Sequence, residues 1–438
     1  MKRILEHFAS LKADESWTYA DLTPKDITYL THSYHRYPAK FIPQLANRLI
    51  RMYTERGEVV LDPFVGSGTT IVEGLLLGRR VIGMDVNPVS YLICRAKTIN
   101  VNPDFLEKNV EATLKKIRDQ SKNNLSFKDV VEDSPNYTRI KYWFNEEVIG
   151  DLSLILSTIE EVENEDIRIF LKCGFSHILK NCSKWQMYSI KPHKKEGKKI
   201  PPALPTFTRH VHQMVNKYRL FYNALPENIK GSIKRYAEVL KRDCRDVPLF
   251  CEDLPFILTS PPYVTSYEYA DIHQLTLIWL EPEIPYTVHK KKFIGTSIRK
   301  EKPNLNLCSE IGKEIVEELK VKDNNKHGHA RAVFTYFAEM QQAITKFRER
   351  LKPGGKACFI IGNTRLAHVN ILNAEVLTET CLNVGYNLKT VIKRRIAFSA
   401  KFLPSARDPE TGRFVSLEKK NKQIAYPNEY IIVFSTPA

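Results

Sequence analysis

Glu58-Val59-Val60-Leu61-Asp62-Pro63-Phe64-Val65-Gly66-Ser67-Gly68-Thr69-Thr70 opens the stretch that decides the fold, which runs on to Asp85. Glu58 to Asp62 is a short apolar strand, and a glycine-rich turn follows it. Helical spacing then runs from Ile71 to Leu77, with Gly78 as the C-cap. Arg80-Val81-Ile82-Gly83-Met84 is the next strand, and Asp85 ends it. Strand, glycine turn, helix, strand, acid is the opening βαβ unit of a doubly wound α/β sheet.

Each part of that unit has a chemical use. Glycines let the backbone come close to a ligand, and the helix beyond presents free N–H groups. An acid at the tip of the second strand can accept both hydroxyls of a ribose. The turn has no third glycine at dinucleotide spacing and no G-K-[ST] for a nucleoside triphosphate. Asp62 beneath it would repel a pyrophosphate and attract a cation. S-adenosyl-L-methionine meets those terms, with an adenine, a ribose, an ammonium and a sulfonium. Upstream, the crowded stretch His32 to Pro43 opens an amphipathic helix from Gln44 to Tyr53. Its aromatic density suggests a wall for a flat ligand.

Far downstream, the apolar run Pro255 to Leu258 stops at Thr259-Ser260-Pro261-Pro262-Tyr263. Neither strand nor helix continues through a proline pair, so the nearby carbonyls are held as rigid acceptors. Ser260 adds a hydroxyl and Tyr263 a flat ring. That set suits an exocyclic amino group on a planar base. Alone, such a short motif could equally be a stiffened surface loop; the glycine turn upstream favours a pocket.

Composition narrows the partners. The 438 residues allow two or three domains, and 43% hydrophobic residues suffice for a core. A net charge of +16 points to a polyanion, nucleic acid first and an anionic membrane surface second. No apolar run is long enough to cross a bilayer, and Met1-Lys2-Arg3 leads into no signal-peptide core. Eight single cysteines fit a reducing, cytoplasmic setting and give no zinc spacing. Cys173, His177 and Cys182 read as buried helix residues, so no metal is expected.

Four regions are expected: an N-terminal arm over 1–30; cofactor motifs over 31–101; a long, mostly helical insertion over 102–234; and the sheet again over 235–438. The insertion includes helices from Glu146 to Val162, Ile167 to Leu179 and Pro205 to Tyr222, and is a candidate for reading the target. Glu268 to Leu280 reads as one helix. Arg331 to Leu351 reads as another, capped by Lys352-Pro353-Gly354-Gly355. Basic loops carry the phosphate-gripping candidates: Lys194, Lys195, Lys198 and Lys199 in the insertion, then Lys290, Lys291, Lys292 and Arg299 within 282–329. A further basic loop spans 393–422.

Asp62 to Thr70 taken with Ser260-Pro261-Pro262-Tyr263 resembles the DNA amino-methyltransferases, which methylate cytosine N4 or adenine N6. Tyr37-Pro38-Ala39-Lys40-Phe41-Ile42-Pro43 resembles their cofactor motif before the glycine loop. Asp85 and Asp243 match the acids after the second and third strands, and Lys352 to Gly355 with Gly362-Asn363 matches later sheet motifs. The resemblance covers perhaps half the chain and implies a Rossmann-like class I methyltransferase sheet with helices on both faces. It implies cofactor contacts from Tyr37, Lys40, Phe41, Asp62, Phe64, Gly66, Gly68, Thr69, Asp85, Asn87 and Asp243, with Ser260 to Tyr263 catalytic.

Serine before the proline pair is the form typical of the N4-cytosine enzymes, so that product is expected, with N6-adenine as the alternative. The glycine loop preceding the proline pair departs from the commonest N4-cytosine order, which leaves the target-reading segment open. The resemblance also implies double-stranded DNA as substrate, base flipping, a prokaryotic cytosol, and a restriction-modification role beside a separate endonuclease. A C5-cytosine enzyme would need a cysteine after a proline, and the chain has no Pro-Cys pair. An RNA guanine methyltransferase would more usually show Asp-Pro-Pro-Tyr. A binding module that had lost turnover would have no need of an intact Ser260 to Tyr263.

Overall fold

The computed structural model describes residues 1–38, 40–122, 131–264, 269–296, 305–323, 328–396 and 428–438, with strand pieces at Ala406–Arg407, Phe414–Val415 and Gln423–Ile424. Arg299, Glu268 and most of the 393–422 loop lie outside the described residues.

The main sheet consists of β1 (Val59–Asp62), β2 (Arg80–Met84), β3 (Ala237–Leu240), β4 (Leu254–Thr259), β5 (Leu351–Ile361), β6 (Asn387–Arg395) and β7 (Asn428–Ser435). Its order is β3-β2-β1-β4-β5-β7-β6. The first five strands pair in parallel, and β7 runs antiparallel between β5 and β6. The chain works outward from β1 to β3, then returns to β4 on the other side of β1. That reversal opens a crevice beyond the carboxyl ends of β1 and β4, where ligands of such sheets bind.

Alternation along the strands sorts the core into two layers, because successive side chains point to opposite faces. Val60, Phe256, Leu258, Ile360 and Val433 share one buried cluster, while Leu61, Ile257, Phe359, Ile361 and Ile432 share the other. Helices α2 (Pro43–Tyr53), α3 (Thr69–Leu76) and α4 (Pro88–Lys97) cover the first face. That cluster continues without a break into α5 (Pro103–Lys122), α6 (Glu146–Glu160), α7 (Glu165–Cys182) and α8 (Ala203–Ala224), all between β2 and β3 in sequence. After β4 comes α9 (Gln274–Leu280). Then α10 (Glu310–Asp323), α11 (His329–Arg350) and α12 (Asn373–Asn383) cover the second face. The doubly wound reading therefore holds.

Two local expectations differ from the structure. The helix expected from Glu268 breaks at His273, which is the N-cap of α9 after a separate turn, Tyr269–Ile272. Lys352 to Gly355 does not cap α11 but lies within β5, looped out between the pairs Leu254–Leu351 and Phe256–Lys356. The N-terminal segment begins with α1 (Lys2–Ser10), whose buried Phe8 packs on Tyr430 at 5.1 Å between ring centroids. Periodicity shows that such elements exist but not what receives them.

A buried carboxylate ties the stretch before α2 to the sheet. Glu73 in α3, fully buried, accepts from Tyr29 Oη at 2.5 Å and Asn47 Nδ2 at 2.8 Å, with His32 Nε2 also at 2.8 Å. Glu73→Ala leaves these groups without their acceptor in a dry site. We expect a loss of about 3 kcal/mol or more, read as a lower denaturant midpoint at unchanged m.

Candidate active site

The turn after β1 is built around two glycines that no other residue replaces easily. Gly66 has φ +49°, and a Cβ there would sit 3.2 Å from the Tyr37 ring. Gly68 has φ +79° as the N-cap of α3, and a Cβ would meet Cys94 Sγ at 3.0 Å. With Cβ excluded, the Tyr37 ring lies directly over the turn, its hydroxyl 2.9 Å from Ser90 Oγ.

Asp62 lies beneath the turn rather than in the cavity. It is 1% exposed, accepting from Thr70 Oγ1 at 2.6 Å, Thr259 Oγ1 at 2.7 Å and the Phe64 N–H at 3.2 Å. Burial pushes its pKa up to about 6 against the pull of those bonds. Thr259 is the last residue of β4, immediately before Ser260, so this carboxylate joins the glycine turn to the proline pair.

The cavity above is lined by Tyr37, Lys40, Phe41, Phe64, Gly66 and Thr69. Asp85, Asp243, Ser260 and Pro262 line it as well. Asp85 accepts from the Gly66 N–H at 3.0 Å and the Asn87 N–H at 2.9 Å, and burial raises its pKa to about 6. Asn87 caps α4 through a bond from the Val89 N–H. Asp243 is bridged by Arg245, which also reaches Glu339 at 2.8 Å. Lys40 Nζ donates to the His32 carbonyl at 2.8 Å.

One buried polar atom in the cavity wall, Ser67 Oγ, has no hydrogen-bond partner among the described residues. Orphaned groups of that kind are what a nucleoside cofactor would satisfy. The donor and acceptor set thus fits S-adenosylmethionine.

Sequence reading and structure part company at the tyrosines. Tyr263 does not line the cavity; its hydroxyl donates to Glu429 Oε1 at 2.8 Å, and its ring lies 3.5 Å from where a Gly362 Cβ would stand. Tyr269, which sequence reading passed over, does line it, within a run of rings that includes His273, Tyr37 and Phe293. Only its neighbours in space mark it out.

The basic candidates separate too. Lys198 Nζ lies within 3.1 Å of the carbonyls of Lys180, Asn181, Ser183 and Trp185, where it caps the end of α7. Lys194 pairs with Glu196 and Lys290 with Asp271. Lys195, Lys199, Lys291 and Lys292 are exposed, with no side-chain partner among the described residues, and Lys292 borders the cavity.

Two measurements follow. If Asp85 holds the ribose hydroxyls, the ionised carboxylate holds them best, and affinity is expected to fall as pH drops through about 6. Calorimetry with S-adenosylmethionine should show that fall in the native protein and a flat, weaker profile in Asp85→Asn. Tyr263→Phe leaves Glu429, 8% exposed, short of a donor, and should cost about 1–3 kcal/mol of stability in thermal unfolding.

A DNA methylase family model matches residues 8–94, from α1 to α4. The Type II methyltransferase M.MvaI of Kocuria varians is 26% identical over 420 residues, covering 91% of each chain. M.MjaII of Methanocaldococcus jannaschii, another Type II methyltransferase, is 22% identical over 70% of this chain and 73% of its own. Among solved structures, a TehB-like SAM-dependent methyltransferase from Corynebacterium glutamicum aligns over 90% of this chain and 87% of its own, at 8% identity and a TM-score of 0.28. The family-model match over the first part of the fold and the near-full-length similarity to a Type II methyltransferase point the same way: this chain is similar to the DNA methylases.

Proposed function

We propose that the protein methylates the exocyclic N4 of cytosine in duplex DNA, using S-adenosylmethionine, as the modification partner of a restriction system. The observation that carries this reading is the position of Ser260: it directly follows the last residue of the strand beside β1 and lines the same cavity as Asp85 and the glycine turn. The serine form of the motif favours cytosine, and the Type II relatives support the restriction-modification role.

When bound, S-adenosylmethionine supplies a methyl group made electrophilic by its sulfonium. Asp85 would hold the ribose, Ser67 and the turn would face the cofactor, and Phe41 would wall it. The Asp62 charge would act from below, as a positioning group. The space now enclosed is about 80 Å³, under the roughly 300 Å³ of small ligand sites.

The acceptor's amino nitrogen is a poor nucleophile because its lone pair is delocalised into the ring. The Pro262 carbonyl already accepts from Tyr336 Oη at 2.7 Å, whereas no donor among the described residues reaches the Pro261 carbonyl. Ser260 Oγ and that carbonyl would accept the two amino hydrogens, drawing nitrogen toward tetrahedral geometry and freeing its lone pair. Positioning supplies the rest of the barrier reduction. A base in this pocket must first leave the duplex.

Single-turnover methyl transfer, with the product identified by mass spectrometry, tests the reading. Ser260→Ala should lose about 10²–10³ in rate at unchanged cofactor affinity; a native rate would remove Ser260 from the site. N6-methyladenine as product would keep the site and overturn the choice of base. Neutralising Lys195 and Lys199, or Lys291, should flatten log affinity against log salt by about 0.9 for each phosphate that is no longer neutralised. Unchanged slopes would place the DNA surface elsewhere.

A further inference from the structure

A second cavity, of about 320 Å³, lies on the far side of Tyr37 and is the roomier of the two. That size is within the range of small-molecule sites, roughly 300–1,000 Å³. It is enclosed by the stretch from Thr28 to Lys40, the end of α7, the 185–190 loop and the start of α9. Nothing in the methyl-transfer reading uses it.

Its lining has two chemical characters. Arg36 and Lys180 bring positive charge, and the lining includes no aspartate or glutamate. Arg36 Nη1 is fixed by the His177 carbonyl at 3.1 Å and Asn181 Oδ1 at 2.8 Å, and Lys180 Nζ by the Ser189 carbonyl at 2.8 Å. Flat surfaces come from Trp185, the His273 ring and Tyr188, which is 86% exposed at the rim. An exposed tyrosine beside fixed cations is a platform for a base with its phosphate.

Unpaired nitrogens lie between these two characters. His273 is 4% exposed, yet its Nε2 has no partner among the described residues, and neither has His177 Nδ1. Burial pushes His273 down to about 3 and holds His177 well below the usual imidazole range. These rings are therefore neutral at physiological pH, and each carries one donor and one acceptor nitrogen. The charge comes from Arg36 and Lys180, while the imidazoles can read polar edges.

We propose that this cavity is a second nucleotide site, taking one base with its phosphate from the bound DNA while the target occupies the first. The phosphate would meet Arg36 and Lys180, the base would stack on Tyr188, and His273 Nε2 would contact its edge. Only the source of the nucleotide rests on the methyltransferase reading; binding itself needs no turnover.

The test uses the full chain saturated with S-adenosylhomocysteine, so that the cofactor part of the first cavity is filled and the Arg36 and Tyr188 variants report on the second. Titration with dAMP and dCMP, followed by ligand-observed NMR, should show binding, with deoxyadenosine and deoxycytidine weaker for want of phosphate. Tyr188→Ala, at an exposed position that leaves folding intact, and Arg36→Gln should each weaken mononucleotide and duplex binding about tenfold. S-adenosylhomocysteine affinity should not change. Mononucleotide binding abolished in the variants with duplex affinity untouched would make the site one for a free nucleotide and overturn the DNA assignment. Displacement of the mononucleotide by S-adenosylhomocysteine, or variants that alter neither affinity, would overturn the site altogether. Absence of methyl transfer with all these binding results intact would count against the proposed reaction only.

Discussion

The Asp62 carboxylate is the interaction on which the rest of the site depends. Its two oxygens take hydroxyls from Thr70, eight residues on, and Thr259, 197 residues on. Those bonds hold the glycine turn and the end of β4 in one geometry before any ligand arrives. A buried carboxylate without such partners would be costly; with them it becomes a fastener between two loops that proline and glycine chemistry alone cannot align. Its raised pKa shows that desolvation outweighs the three hydrogen bonds. The arrangement is thus held at some energetic cost, as preorganised sites commonly are.

A second constraint acts from the other side. Glu73 gathers Tyr29, His32 and Asn47, which fixes the stretch that carries Tyr37 and Lys40 over the turn. Tyr37 then packs against His273 at 5.0 Å between ring centroids. The wall so formed divides the crevice, with the glycine turn on one side and the histidine-lined cavity on the other. One ring thereby links the opening of the chain to the helices after the proline pair, across elements far apart in sequence.

The basic loops show how little a charge run says by itself. Lys198 and Lys195 are three residues apart and look alike in sequence. One lies among four carbonyls at a helix end, where its charge offsets the helix dipole; the other is in solvent. A net charge of +16 suggests a polyanionic partner, but which lysines are left exposed to meet one is set by their neighbours.

The sequence by itself determined the βαβ unit, the strand that stops at Ser260 and the acid at the end of β2. These are local: a glycine turn, a proline pair and the runs of apolar residues beside them act through adjacent residues, so they survive being read in one dimension. It also made Asp85 and Ser260 candidates for one pocket, although 175 residues separate them. Tertiary structure alone decided that Asp62 works beneath the pocket, that Tyr269 lines it while Tyr263 bonds to Glu429, that His273 breaks a helix, and that a second cavity lies behind Tyr37. The physical reason is that hydrogen-bond partners and cavity walls are set by where the chain crosses the sheet and which faces are buried together. Residues that meet only through those crossings carry no mark of it in their own neighbourhoods.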